Sequence, residues 1–316
     1  MADTYVLGID TSNYTSSAAV YDAADGRVIQ SKQLLPVKEG EKGVRQSDAV
    51  FHHTVLLPQM LDALSDKLTG VTAVGVSDRP SCRKDSYMPC FLVGLGTAKA
   101  IATARGVRYH TTTHQTGHIL AALYSADSLD LVKQKREFIA FHVSGGTTDM
   151  LLCRYDEDKL LDIARIGGSS DLKAGQAIDR CGVMLGLRFP CGAELERLAA
   201  EAYDSVKVKP AVRGLDCSLS GIENKCRKLY DEGAESSYIA AYCLKSVGTA
   251  IEALTDAALK EYGSGLPVLY AGGVMSDSLI ADQLGRSDNV MFAAPEYSCD
   301  NAAGTALYAA FMEGMV

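Results

Sequence analysis

Apolar residues fall into short continuous runs in some parts of the chain and into helical stripes in others. Val6-Leu7-Gly8-Ile9, closed by Asp10-Thr11-Ser12, predicts a buried strand that ends in small polar side chains. Asn13 to Ser16 reads as a turn, Ser17 to Asp22 as a returning strand, and Asp25-Gly26 as a second tight turn before Val28. A helix is predicted from about Ser47 to Leu68, capped by Ser47 or Asp48. Val71 to Ser77 predicts a short buried strand, Phe91 to Arg105 a helix, and Gly106 to His110 a further strand. That strand gives way to a helical pattern at Thr113.

The second half opens in the same way. Phe138 to Val143 is a buried strand that runs into Ser144-Gly145-Gly146-Thr147, and Thr148 to Cys153 returns, a weak internal repeat of the Val6–Tyr21 hairpin. Helices are predicted at about Leu172–Leu187, Ala193–Ala202 and Ser236–Tyr262, with a charged helix after Leu219-Ser220-Gly221-Ile222. Pro267 to Val274 reads as a strand with a double-glycine turn, followed by a helix capped by Ser276 or Asp277. Val290 to Pro295 is a last strand, and Asp300 reads as the cap of a helix over about Asn301–Met312. Two hairpin-led halves imply a duplicated α/β architecture with a cleft between them, where ligands sit beyond the carboxyl ends of strands. The expected division is 1–130 and 131–300, with the terminal helix at about 301–316 packing back on the first half.

At 316 residues, 47% hydrophobic and 22% charged, the chain has the composition of a two-domain globular protein. No apolar run approaches the ~20 residues of a membrane span, and Met1 to Thr4 leads into a strand without a basic leader, so a cytoplasmic protein is expected. The net charge of −8 is not that of a nucleic-acid binder, so an RNA ligand would need a local basic patch or a partner. Nine cysteines without a CxxC pair favour reduced thiols over a disulfide framework.

The candidate chemistry centres on Thr113-His114-Gln115-Thr116-Gly117-His118. Residues four apart on a helix share a face, so His114 and His118 could hold one metal ion side by side, or simply face solvent. Ser144-Gly145-Gly146 leaves backbone N–H groups free to approach a phosphate or ribose. Asp179 lies off the apolar stripe of its helix. Asp78 to Ser86, with Arg79, Arg83 and Lys84, is either a solvated loop or an anion-binding lid.

Eight stretches, in one order, resemble those of the TsaD family, the catalytic subunits of the tRNA threonylcarbamoyladenosine machinery, once called glycoproteases. They are Leu7-Gly8-Ile9-Asp10-Thr11-Ser12, Thr113 to His118, Val143-Ser144-Gly145-Gly146-Thr147-Thr148, Ala174-Gly175-Gln176-Ala177-Ile178-Asp179, Leu187-Arg188-Phe189-Pro190-Cys191-Gly192, Ser218-Leu219-Ser220-Gly221, Ala271-Gly272-Gly273-Val274-Met275-Ser276-Asp277 and Cys299-Asp300-Asn301-Ala302-Ala303. The resemblance implies an actin/sugar-kinase/Hsp70-like (ASKHA) fold of two ribonuclease-H-like subdomains. It implies that His114, His118 and Asp300 hold one divalent metal ion, iron or zinc. It implies that His142, Val143, Ser144, Gly145, Gly146, Asp179, Gly192 and Asp277 bind an adenine nucleotide: threonylcarbamoyl-AMP, AMP or ATP. It further implies transfer of the threonylcarbamoyl group to adenosine in tRNA, with a TsaB-like partner and an accessory ATPase.

The departures bear on the reaction. The family's acidic pair after Thr-Ser is Tyr14 and Thr15 here, which leaves Asp10 as the candidate catalytic carboxylate. Its Gly-Pro-Gly loop is replaced by Arg79–Ser86, and two of its histidines are Thr113 and Thr147. Two functions stay open: a threonylcarbamoyl transferase acting on tRNA, and a metal- and nucleotide-binding paralogue that serves as an interaction subunit or acts on another substrate. A zinc protease would need Glu where Gln115 stands. A sugar-kinase-like ATPase would leave the histidine pair unexplained.

Overall fold

The computed structural model describes residues 4–12, 14–36, 44–83, 85–286 and 289–316. Met1 to Asp3, Asn13 of the predicted first turn and Lys84 of the basic loop lie outside these. In chain order the elements are β1 (Tyr5–Ser12), β2 (Thr15–Asp22), β3 (Val28–Leu34), α1 (Gln46–Asp62), α2 (Ser65–Leu68), β4 (Val71–Arg79), α3 (Phe91–Arg105), β5 (Arg108–Thr113), α4 (His114–Ser125) and α5 (Asp130–Lys133). Then come β6 (Phe138–Val143), β7 (Thr148–Asp156), β8 (Leu160–Ser169), α6 (Ala174–Met184), α7 (Gly192–Ala199), β9 (Val212–Arg213), β10 (Asp216–Cys217), α8 (Ser220–Asp231) and α9 (Ser236–Tyr262). The last are β11 (Val268–Ala271), α10 (Ser278–Leu284), β12 (Val290–Phe292) and α11 (Ala303–Met312). Among the described residues no helix is long and apolar enough to cross a membrane.

The chain divides into two compact units. Unit 1 is 1–132, 155–162 and 299–316; unit 2 is 133–154 and 163–298. Unit 1 is built on a five-stranded sheet of order β3-β2-β1-β4-β5, in which β1, β4 and β5 run parallel and β2 pairs antiparallel with both β1 and β3. The alternation of side chains along a strand explains its layers. Leu7, Ile9, Val74 and Val76 face a core completed by Leu57 and Met60 of α1 and Ala98 and Ala102 of α3. Gly8 and Gly75 point the other way, against α11, where a Cβ on Gly8 would overlap the backbone of Ala302 and Ala306 and one on Gly75 the carbonyl of Thr305. At Gly304 a Cβ would overlap the carbonyl of Gly117, so α11 lies directly on α4. Every residue from Ala303 to Ala310 is buried. These close approaches carry the chain just before α11 to the start of α4.

Unit 2 has a seven-stranded sheet of order β12-β11-β6-β7-β8-β10-β9, with β11 and β12 parallel to β6 and β7 antiparallel to it. Its core joins Ile139, Phe141, Met150 and Tyr270 of the sheet to α6 and to the long α9 through Ile178, Leu244, Val247 and Ile251.

Several predicted boundaries move. The first turn is shorter, since Ser12 already pairs with Thr15. The predicted helix at 47–68 is two helices, because Leu64 leaves helical geometry (φ −113°, ψ 9°) and buries its side chain. The strand read at Gly106–His110 runs instead from Arg108 to Thr113, where its threonines masked the pattern but pair in register with β4. Asp300 caps nothing. The residue flanking α11 is Ala302, without a side-chain cap, and Asn301 takes the bond from the Ala303 N–H at 3.0 Å.

Candidate functional site

β1 and β5 flank β4 and run parallel to it, so their carboxyl ends deliver Asp10 and, one residue beyond β5, His114 to the same end of the sheet. Thr113 caps α4, its hydroxyl accepting from the Thr116 N–H at 3.0 Å, and this fixes the first turn on which His114 and His118 share a face. The α11 contacts bring in Asp300. His114 Nε2 and His118 Nε2 stand 2.9 Å apart, and Asp300 Oδ1 lies 3.2 Å from His118 Nε2 and 3.4 Å from His114 Nε2.

Those separations suit one ion. With metal–ligand bonds of about 2.0–2.1 Å, two donors stand about 2.9 Å apart at a right angle and about 3.4 Å apart at the tetrahedral angle. Two imidazoles and one carboxylate are a donor set for Zn(II) or Fe(II), and they leave positions open for a substrate. Behind them, Asp10 Oδ2 lies 2.8 Å from His114 Nδ1 while its Oδ1 accepts from the Ser12 N–H at 2.9 Å. A carboxylate on the far nitrogen of a ligating histidine fixes which nitrogen is free to bind. Asp10 is fully buried behind the ring.

The electrostatics agree. Burial opposes charge on His114, yet Asp10 and Asp300 overcome it and push its pKa up to about 10. Burial likewise disfavours the carboxylates, but His114 holds Asp10, and His114 with His118 holds Asp300, below the ordinary range. The cluster therefore keeps a cation among its acids, a place that a metal ion would take over from the proton.

In unit 2 the turn after β6 meets the start of α6. The Gly175 N–H reaches Ser144 O at 3.2 Å, and the Ala174 N–H reaches Thr148 Oγ1 at 2.9 Å. Beside it lies a 440 Å³ cavity lined among others by Gly145, Asp179, Gly192, Glu196, Gly273 and Asp277. A Cβ added at Gly145, Gly192 or Gly273 would meet nothing within 4 Å, so these backbones border open space. Asp179 Oδ1 accepts from the Cys191 N–H at 2.9 Å and so holds the loop before α7. Asp277 caps α10 through the Ile280 N–H at 3.0 Å. Burial pushes its pKa up to about 6; the Ile280 N–H opposes this and Glu196 adds to it.

The family model described as TsaD, tRNA N6-adenosine threonylcarbamoyltransferase, matches residues 28–307. The chain belongs to the TsaD family. A tRNA N6-adenosine threonylcarbamoyltransferase of Thermus thermophilus is 29% identical over 319 residues, covering 98% of this chain and 92% of that protein. Full-length HypF in its phosphate- and nucleotide-bound form shares the fold, with a TM-score of 0.62 at 14% identity over 98% of this chain and 46% of that one. So does component A of the Acidaminococcus fermentans (R)-2-hydroxyglutaryl-CoA dehydratase, with a TM-score of 0.56 at 16% identity over 98% and 99%. The fold is of the actin/sugar-kinase/Hsp70-like class.

Among the TsaD-like residues, His114, His118 and Asp300 come together, as do Gly145, Asp179, Gly192 and Asp277. His142, Val143, Ser144 and Gly146 do not line the unit 2 cavity. Glu196 does, and the sequence motifs gave no sign of it. Thr15, at a position where the family carries an acid, places its hydroxyl 3.5 Å from Asp300 Oδ2, and Tyr14 is exposed. The basic loop is less cationic than its sequence suggests. Arg79 is forked onto Asp78 at 2.7 and 2.8 Å, and Pro80 O accepts from the Gln115 N–H at 3.0 Å. With Thr111 to Thr113, Lys159 and Tyr308, that loop lines a 410 Å³ hollow in unit 1.

Proposed function

We propose that this chain is a metal-dependent transferase that moves a threonylcarbamoyl group from threonylcarbamoyl-AMP to adenosine in tRNA, with a slow chemical step. The observation that carries the reading is the convergence of His114, His118 and Asp300, backed by Asp10, in a chain of the TsaD family. One divalent ion, Zn(II) or Fe(II), would be held by His114 Nε2, His118 Nε2 and Asp300. It would supply a Lewis acid that grips substrate oxygen. Asp10 keeps the His114 proton on Nδ1. In unit 2, the backbones of Gly145, Gly192 and Gly273 leave room for the adenylate. The free oxygen of Asp179, and Glu196, accept from ribose hydroxyls.

The slow step follows from the first loop. A positioned general acid or base is worth ~10²–10⁴-fold in rate. At Thr15 a hydroxyl that donates toward Asp300 replaces a carboxylate, and it cannot take a proton at neutral pH. Metal and nucleotide binding use other side chains and are retained. The same loss favours the second reading, an acceptor other than tRNA, for which the hollow beside Arg79 and Lys159 is the candidate contact.

The test is reconstitution with a TsaB-like partner, an accessory ATPase and unmodified tRNA, read by mass spectrometry of digested nucleosides. The expected result is one divalent ion per chain at the His–Asp site, adenylate binding by calorimetry and tRNA modification well below the rate of a housekeeping enzyme. His114→Ala should lose that ion and stay folded. Undiminished metal in this variant would overturn the metal site. The housekeeping rate would overturn the account of the first loop. No adenylate binding with metal present would overturn the function itself.

A further inference from the structure

Cys181 on α6, Cys226 on α8 and Cys243 on α9 come from three helices of unit 2, and their sulfur atoms all lie within 4.8 Å of one another. Each is buried, with exposure of 1% or less. Cysteine packs well as a small apolar residue, and one buried thiol on each helix would need no explanation. Three that converge on one point are a donor set. Three sulfurs bonded at about 2.3 Å to one ion stand about 4 Å apart, and the 4.8 Å that bounds this cluster is close to that separation. We infer that Cys181, Cys226 and Cys243 form a second metal site, for a thiophilic d¹⁰ cation, distinct from the His–Asp centre in unit 1.

The packing of α8 gives the site a purpose. Only Ile222 and Cys226 of that helix are buried, so its hold on the core is thin. Its start is tied by Asp171, which accepts from Ser218 Oγ at 2.7 Å, Ser220 Oγ at 2.6 Å and the Leu219 N–H at 2.8 Å. An ion shared by the three sulfurs would fasten the next turn to α6 and α9, and fraying of that turn gives the ion its entry. Two residues before Cys181 is Asp179, on the wall of the glycine-bordered cavity, so occupancy also fixes the helix that lines it. Each metal–sulfur bond replaces an S–H bond and releases one proton to solvent, with no change of oxidation state. Three thiolates leave one net negative charge around Zn(II) and two around Cu(I). Burying the smaller charge costs less, which favours Zn(II), whereas the softness of three thiolates favours Cu(I), so either d¹⁰ ion suits the site.

The full-length reduced chain is titrated with Cd(II), whose bonds to thiolate give an ultraviolet charge-transfer band that histidine and carboxylate ligands do not. The expected result is a band that saturates at one Cd(II) per chain, is lost in Cys226→Ala and is kept in Cys153→Ala. Amide exchange in α8 should slow on adding Zn(II) to the wild type and not to Cys226→Ala. Should that variant not fold, Cys181→Ala and Cys243→Ser report on the same site. Absence of the band in the wild type, or its persistence in any folded cluster variant, overturns the proposal. The band is independent of His114, so its failure leaves the proposed function untouched.

Discussion

Replacing Asp10 by asparagine separates two roles open to a buried carboxylate behind the proposed metal ligand His114, positioning and proton transfer. Asp10 receives two N–H groups on opposite oxygens, Ser12 N at 2.9 Å and His114 Nδ1 at 2.8 Å. Asparagine offers one carbonyl and one NH₂, so one of those donors must face another donor. If the amide turns its NH₂ to Ser12, a buried N–H loses its partner at a cost of ~1–3 kcal/mol in stability. If it turns its NH₂ to His114, the imidazole must carry its proton on Nε2, which then cannot bind metal. Either way the charge that supports His114 is gone. Loss of such a supporting group lowers metal affinity by roughly 10–100-fold, or about 1.4–2.8 kcal/mol. The assay is competition for Zn(II) against a chromophoric chelator, with circular dichroism as the check on folding. Transfer activity of Asp10→Asn should return at saturating metal, because positioning is what was lost. Wild-type affinity together with activity that metal does not restore would refute this reasoning and make Asp10 a proton-transfer group.

Asp277→Asn should stabilise the protein at pH 8, with an upper bound of ~3 kcal/mol, the free energy of moving a carboxyl from 3.8 to about 6. The folded pKa is the raised one, so the wild type holds this stability below about pH 4 and loses it as pH rises through 6; in the variant, thermal melts between these values should be flatter. Gly304→Ala should cost at least ~1–3 kcal/mol by forcing α11 off the Gly117 carbonyl, and should lower metal occupancy because Asp300 moves with the helix; unchanged metal content in a destabilised variant would contradict that coupling. Burial works against charge on Asp171, but the Ser220 and Ser218 hydroxyls and the Leu219 N–H outweigh it and hold the carboxyl well below the ordinary range. Its hold on α8 is therefore present above about pH 4 and lost as pH falls, so α8 amides should lose protection from exchange in acid before those of α9.

Much of this was legible in the sequence because it is local. The α3 and α9 boundaries follow from apolar periodicity, and His114 and His118 follow from helical spacing. The position of Asp300 was legible only through the family motif, and the physics of its neighbourhood pointed elsewhere, since an Asp before a helix usually caps it. What releases its carboxylate is Asn301, which bonds the start of α11 instead. Asp10 as the partner of His114 could not be read from spacing either, because strand order brings residues 10 and 114 together. The thiol cluster was invisible for the same reason, with each cysteine sitting in an ordinary apolar stripe and the meeting point set by how α6, α8 and α9 pack. At the Arg79–Ser86 loop a count of basic residues does not see that Asp78 pairs with Arg79.

The seating of residues 299–316 in unit 1 has a consequence for biogenesis. A ribosome makes the sheet of unit 1 first, then all of unit 2, and only afterwards the helix that covers Gly8 and Gly75 and the carboxylate that joins His114 and His118. Until then one apolar face of the first sheet waits uncovered, the kind of surface that chaperones bind. The His–His–Asp cluster therefore cannot be complete during synthesis. On the proposed function, metal loading is a late event, and a ribosome that stalls before Cys299 releases a chain with two histidines, a finished unit 2 and no Asp300 beside them.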